Sequence, residues 1–105
     1  APGRPTIVVM HHPPFRTFIG HMDRIGLDGS DALARVIARH TQVERVLCGH
    51  VHRPIQVRWA GTMASIAPST AHQVLLDLRD AAKLALVMDP PGVALHLWRP
   101  AAGLV

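Results

Sequence analysis

The sequence predicts an α/β fold, and three observations lead to this fold class. Residues 6–10 (Thr-Ile-Val-Val-Met) form a short β-branched run without alternation, which is typical of a strand buried on both faces. Residues 43–48 form a second short apolar run, and apolar residues at helical spacing lie between the two runs. A strand, a helix and a strand in this order predict a βαβ unit with parallel pairing.

The helix of this unit is predicted to begin at a cap formed by Asp28 or Ser30 and to run to about residue 40. One face of it carries apolar or amphipathic residues at positions i, i+3, i+4 and i+7, namely Leu33, Val36, Ile37 and His40. Residues 15–29 show no periodicity, so we expect a long loop there, of the kind that is usually functional.

The second part of the chain predicts several short strands. Residues 55–59 alternate between apolar and polar, as a half-buried strand does, and residues 62–67 and 74–78 are further candidates. Residues 84–88 and 93–98 flank an Asp-Pro-Pro-Gly turn signal, which predicts a hairpin.

Length and composition exclude several classes of protein. A chain of 105 residues that is 49% apolar predicts one folded domain rather than a disordered segment. The sequence contains no apolar run of about 20 residues and no export signal, and Cys48 has no second cysteine to pair with. We therefore expect no membrane contact and a cytoplasmic location. Because the sequence begins with Ala-Pro, we expect a segment of a longer parent.

The charged residues argue against a nucleic-acid partner and raise a question about histidine. The formal net charge is +4, but the ten arginines are dispersed without a basic stripe. Eight histidines stand against only seven carboxylates. This excess of histidine points to metal or phosphate chemistry.

Three of the histidines are predicted to meet at one edge of the sheet. His11 ends the first strand, and His50 and His52 follow the second strand in the motif Cys-Gly-His-Val-His. Ligands bind at the carboxyl ends of parallel strands, and imidazoles there are well placed to hold a transition metal. The alternative interpretation is that His50 and His52 are turn residues bonded to the backbone.

Other residues of this region are given no direct role. The side chain of His12 is expected to point away from that of His11, because neighbouring residues of an extended chain face opposite sides. His21, in the long loop, is a weak candidate for substrate contact, and Cys48 is expected to act as a small buried hydrophobe.

Four motifs together resemble one enzyme family. Met-His-His-Pro-Pro at 10–14 and Cys-Gly-His-Val-His at 48–52 resemble the last two metal-binding motifs of the calcineurin-like metallophosphoesterases. Gly-His-Met-Asp at 20–23 and Ser-Thr-Ala-His-Gln at 69–73 are similar to the bacterial cyclic-nucleotide and glycerophosphodiester phosphodiesterases of that family. The resemblance covers about residues 5–78.

The resemblance implies a fold, a site and an activity. Residues 1–105 would be the C-terminal half of a two-sheet β-sandwich with a flanking helix. His11 and His50 would bind one metal and His52 a second, the metals being iron, manganese, zinc or cobalt. A metal-bound hydroxide would attack a small phosphodiester substrate, and His72 would contact its phosphate as a catalytic residue.

The sequence also departs from the family pattern. The first three motifs of the family (Asp-X-His, Gly-Asp and Gly-Asn-His) do not occur, and the chain contains no asparagine. We therefore expect the 105 residues alone to be inactive, and their uncovered strands to promote self-association or dimerisation. The alternative is a non-catalytic module that binds a single zinc through His11, His50 and His52, or an interaction domain derived from the same fold.

Overall fold

The computed structural model describes residues 2–105. Its elements, in chain order, are β1 (Thr6–Val9), α1 (Gly20–Arg24), α2 (Ser30–Ile37), β2 (Val43–Cys48), β3 (Ile55–Trp59), β4 (Thr62–Ile66), β5 (Gln73–Val74), β6 (Leu86–Val87), β7 (Trp98–Arg99) and β8 (Gly103–Leu104). The α/β fold class is confirmed, as are the strands predicted at residues 43–48 and 55–59.

A mixed four-stranded sheet in the order β1-β2-β4-β3 forms the centre of the structure. β1 precedes α2 and β2 follows it along the chain, and the two strands pair in parallel, so the predicted βαβ unit is present. β4 pairs parallel to β2 and antiparallel to β3. The strands β5–β6 and β7–β8 form two small antiparallel pairs outside this sheet.

The turn between β3 and β4 follows from its two central residues. Trp59 pairs with Thr62, which leaves Ala60 and Gly61 as a two-residue loop. Both have a positive φ, 51° and 84°, the combination that matches the twist of the flanking strands in a tight hairpin. Glycine takes this conformation without steric cost, so Gly61 favours the turn.

The core lies on the face of the sheet that carries Val46 and Ala64, which are fully buried and paired across β2 and β4. Ile37 of α2 and both Ile19 and Met22, at the start and middle of the α1 region, belong to the same buried cluster. The helices therefore cover this face, and the carboxyl ends of β1 and β2 remain accessible at the edge.

The expectation that β1 is buried on both faces is wrong. Ile7 is 42% and Val9 76% exposed, while Val8 between them packs against the core. The reason is topological: β1 is an edge strand, and its second face has little cover within residues 2–105.

The region between β1 and α2 also differs from expectation. Residues 15–29 are not a continuous loop, because α1 forms where Ile19 and Met22 enter the core. α2 is capped by Gly29, with φ 77°, and no side chain of Asp28 or Ser30 provides the cap. α2 ends at Ile37 and is followed by a tighter turn in which the His40 N–H donates to the Ile37 carbonyl.

The predicted hairpin of residues 84–88 and 93–98 does not form. β6 pairs instead with β5, and β7 pairs with β8. The Gly92 N–H donates to the Ser69 carbonyl at 3.0 Å, so the Pro-Pro-Gly segment turns the chain toward the loop before β5 rather than back on itself. β5 is correspondingly shorter than the strand predicted at 74–78.

None of the helices formed by residues 2–105 is long and apolar enough to cross a membrane.

Candidate metal centre

The site begins where two parallel strands end side by side. β1 is followed by His11 and β2 by His50, and the Gly49 N–H donates to the His11 carbonyl at 3.0 Å. This bond continues the pairing one step beyond the strands. The imidazole rings of His11 and His50 consequently lie 5.0 Å apart, centroid to centroid. Of the three side chains predicted to converge, His11 and His50 thus lie together, while the ring of His52 pairs with that of His72.

His12 belongs to the same cluster, contrary to expectation. Its ring lies 4.3 Å from that of His50 and 5.0 Å from that of His11. The prediction assumed an extended chain, but the backbone bends at His11 and His12, so neighbouring side chains no longer alternate. We refer to His11, His12 and His50 as the histidine cluster.

The two histidines after β2 are held in an uncommon backbone conformation. His50 and His52 have φ values of 67° and 58°, in the left-handed region, which costs a residue with a side chain about 1 kcal/mol or more. Val51 between them is fully buried in the core. The loop is thus anchored at its middle residue and carries one histidine on each side of the anchor.

The surroundings of His50 favour its neutral imidazole. Burial lowers the pKa of His50, and the neighbouring His12, His11 and His52 lower it further. The Nε2 atom of His50 is buried and has no hydrogen-bond partner among the described residues. A neutral imidazole with an unused ring nitrogen is the form in which histidine binds a metal.

His52 and His72 form a second pair. Their rings lie 5.0 Å apart, and the Nδ1 atom of His52 is 3.1 Å from the carbonyl oxygen of His72. Because a carbonyl only accepts hydrogen bonds, the proton of a neutral His52 resides on Nδ1. Its Nε2 atom therefore keeps a lone pair.

The ligand set is incomplete within the described residues. No three of the His, Cys, Asp and Glu side chains in residues 2–105 are arranged so that they could hold one metal ion. His11 and His50 meet, and His52 acts on the pKa of His50, but its ring is paired with His72. Unused imidazole nitrogens fit part of a cation site, and such a site needs further ligands.

Two other candidates stand apart from this centre. Burial raises the pKa of Cys48 to about 11, so it remains a neutral thiol in the core, consistent with a packing role. His21 lies in α1, where its two ring nitrogens are buried and have no hydrogen-bond partner among the described residues. Hydrogen bonds from Arg79 chiefly lower the pKa of Asp77, in the segment after β5, and the nearby His21 adds a smaller lowering.

A groove of about 370 Å³ opens beside the site. Pro13 and Val51, each next in sequence to a histidine of the site, line part of it, and Arg16, Asp23 and Arg24 of the α1 region also line it. No sequence pattern identifies Arg53, which links the loop after β2 to Val74 and Asp89. Contacts so distant along the chain leave no local pattern.

Comparison with known proteins supplies the family context. The chain is 41% identical over 104 residues to a probable glycerophosphodiester phosphodiesterase of Arcobacter nitrofigilis, which covers 98% of the chain and 38% of the relative. It is 40% identical over 91 residues to a probable cyclic nucleotide phosphodiesterase of Rhodopseudomonas palustris, covering 87% and 33%. A 3′,5′-cyclic adenosine monophosphate phosphodiesterase of Escherichia coli is 33% identical over 73 residues, covering 70% and 26%. No family model matches the chain. The chain thus spans about a third of the length of these relatives.

Proposed function

Since this chain is a homologue of bacterial glycerophosphodiester and cyclic nucleotide phosphodiesterases, we propose that it is a C-terminal portion of a binuclear-metal phosphodiesterase of the calcineurin-like type. The observation that carries the proposal is the meeting of His11 and His50 at the ends of two parallel strands. In this proposal the four-stranded sheet belongs to a two-sheet sandwich, and the rest of the sandwich comes from the part of the relatives that the chain does not span.

Each histidine of the site has a distinct part in this proposal. His11 and His50 would bind one cation, and His52 would bind the other through its Nε2 atom. The remaining ligands, carboxylates among them, would come from outside residues 1–105, because neutral imidazoles alone would not offset the charge of two cations. The site would hold iron, manganese, zinc or cobalt, and such cations would supply charge neutralisation at the phosphoryl oxygens and an activated water as nucleophile.

The chain's own residues position the histidines of the site. Val51 fixes the loop between His50 and His52 by its burial, and the proton on Nδ1 of His52 leaves the opposite nitrogen free. His72, 5.0 Å from His52, contacts the phosphate of a small phosphodiester. Without the missing ligands, the 105 residues alone bind metal weakly and do not turn over substrate.

The test is hydrolysis of bis(4-nitrophenyl) phosphate by the full-length protein, together with its metal content. We expect two metal ions per chain, and we expect His50→Ala and His52→Ala to abolish hydrolysis and reduce bound metal. His40→Ala is the matched control, because His40 is exposed after α2 and its side chain bonds only to Gln42 among the described residues. Unchanged activity in either site variant contradicts the proposal. A single zinc without hydrolysis would favour the non-catalytic module instead.

We also propose that the 105-residue chain self-associates through β1. This strand is at the edge of the sheet, and its exposed Ile7 and Val9 stand next to unpaired backbone groups. Such an edge is a template for pairing with another strand.

A further inference from the structure

Arg53 connects the loop that carries His52 to two distant parts of the chain. Its Nε–H donates to the carbonyl of Val74 in β5, and its Nη2 lies 2.7 Å from the Oδ2 of Asp89. The side chain of Arg53 is 19% exposed and that of Asp89 50% exposed, so the Val74 contact is the more sheltered of the two. The backbone span is 21 residues to Val74 and 36 to Asp89.

Two hydrogen bonds connect the loop after β2 to β5 and to the residue just before it. His52 Nδ1–H donates to the carbonyl of His72, and Arg53 Nε–H donates to the carbonyl of Val74. Consecutive residues of one loop are therefore attached to carbonyls two residues apart on one segment. If Arg53 holds Val74, the His72 carbonyl is placed within reach of His52.

The loop that precedes β5 is restrained from its other end as well. The buried Gln73 accepts from the Ser69 N–H at 3.1 Å and donates to the Ser69 carbonyl at 2.9 Å. These two bonds close residues 69–73 into a small hydrogen-bonded loop. His72 lies within this loop, so its place relative to His52 depends on how β5 is attached.

We propose that Arg53 is a positioning residue for His52 and His72. This proposal rests on the function proposed above. The guanidinium of Arg53 fixes β5 through the carbonyl of Val74, and the carbonyl of His72 then holds the proton of His52 on Nδ1. The Nε2 atom of His52 is thereby left as the ligating atom. Asp89 supports Arg53 by fixing the far side of the guanidinium. Without Arg53 the carbonyl moves away, and His52 exchanges between its two neutral tautomers.

The test reads the tautomer directly. Ring nitrogen NMR of the metal-free protein at about pH 8.5, well above the ordinary histidine pKa of about 6.5, distinguishes Nδ1–H from Nε2–H. We expect His52 to be Nδ1–H in the unmodified protein and a mixture in Arg53→Lys, because lysine supplies no donor at the Nε position. Arg79→Lys is the matched control, since Arg79 forms an exposed pair with Asp77 only. It should leave the His52 signals unchanged.

Activity provides a second readout. Groups that orient a metal ligand typically cost about 10- to 100-fold in activity or metal affinity when removed, and we expect a loss of this size in kcat for Arg53→Lys. Asp89→Asn, which keeps the Val74 bond, should shift tautomer and kcat less and in the same direction. If Arg53→Lys fails to fold, the His52 tautomer in Asp89→Asn tests the proposal in its place.

An unchanged His52 tautomer in Arg53→Lys overturns the proposal, whatever the activity. Failure of the proposed function is separate: an unmodified full-length protein without diesterase activity refutes the hydrolase assignment, while the tautomer still decides whether Arg53 positions His52.

Discussion

Replacement of Asp23 tests how the wall of the groove is held. Its carboxylate accepts three hydrogen bonds, from the Thr17 N–H and hydroxyl at 2.8 Å each and from the Phe18 N–H at 2.9 Å. These bonds set the turn that leads into α1. The side chain of Asp23 is only 15% exposed, so water does not readily replace it.

The expected cost follows from what each partner loses in Asp23→Ala. Thr17 is 7% exposed, and its N–H is left buried without an acceptor, which costs about 1–3 kcal/mol. Phe18 is 62% exposed and its N–H can turn to water, which adds less. We expect a total of about 3 kcal/mol. Asp23→Asn keeps one oxygen for Thr17 but sets an amide donor against the Phe18 N–H, so about half that loss is expected.

Urea unfolding measures both variants. With an m-value of about 1.5 kcal/mol/M, the midpoint should fall by about 2 M for Asp23→Ala and about 1 M for Asp23→Asn. Asp28→Ala is the control, since Asp28 is exposed in the same region. If Asp23→Ala unfolds within about 0.3 M of this control, the carboxylate does not hold the turn and the reasoning is wrong.

Three further predictions concern the site and the sheet edge. His72→Ala should lower turnover of bis(4-nitrophenyl) phosphate by the full-length protein at least about 10-fold while bound metal stays constant; loss of metal would instead make His72 a ligand. Burial and neighbouring histidines lower the pKa of His50 in the folded chain. Below about pH 6.5 the unfolded chain therefore binds a proton at His50 more readily than the folded chain does, so the folded state loses stability as the pH falls. The melting temperature should drop between about pH 7.5 and pH 5, less so in His50→Gln, and equal slopes for the two proteins would contradict this account. Light scattering of the 105-residue chain should show association that Val9→Lys weakens; a monomer at all concentrations would argue against pairing through β1.

The part of the fold that the sequence predicts is the part that depends on neighbours along the chain. The β-branched runs and the periodic helix between them specify β1, α2 and β2, and parallel pairing then brings His11 to His50. Short two-residue strands are different. β5 and β6 are selected by contacts between separate segments, so no periodicity marks them, and the Pro-Pro-Gly signal suggested a local hairpin instead.

For the site as well, the sequence predicts only what depends on neighbours along the chain. Strand ends identify His11 and His50, whereas the inclusion of His12 depends on a bend that the sequence does not display. The link from Arg53 to Asp89 joins residues far apart in the chain and becomes visible only in three dimensions.

The left-handed backbone at His50 and His52 has a consequence for mutational tolerance at both positions. Asparagine and aspartate accept this geometry at least as readily as histidine, whereas valine, isoleucine and threonine resist it. The effect of each replacement at these two positions should therefore depend on two properties: whether the residue accepts a positive φ, and whether it carries an imidazole. Asparagine separates the two effects, since it keeps the turn while removing the imidazole.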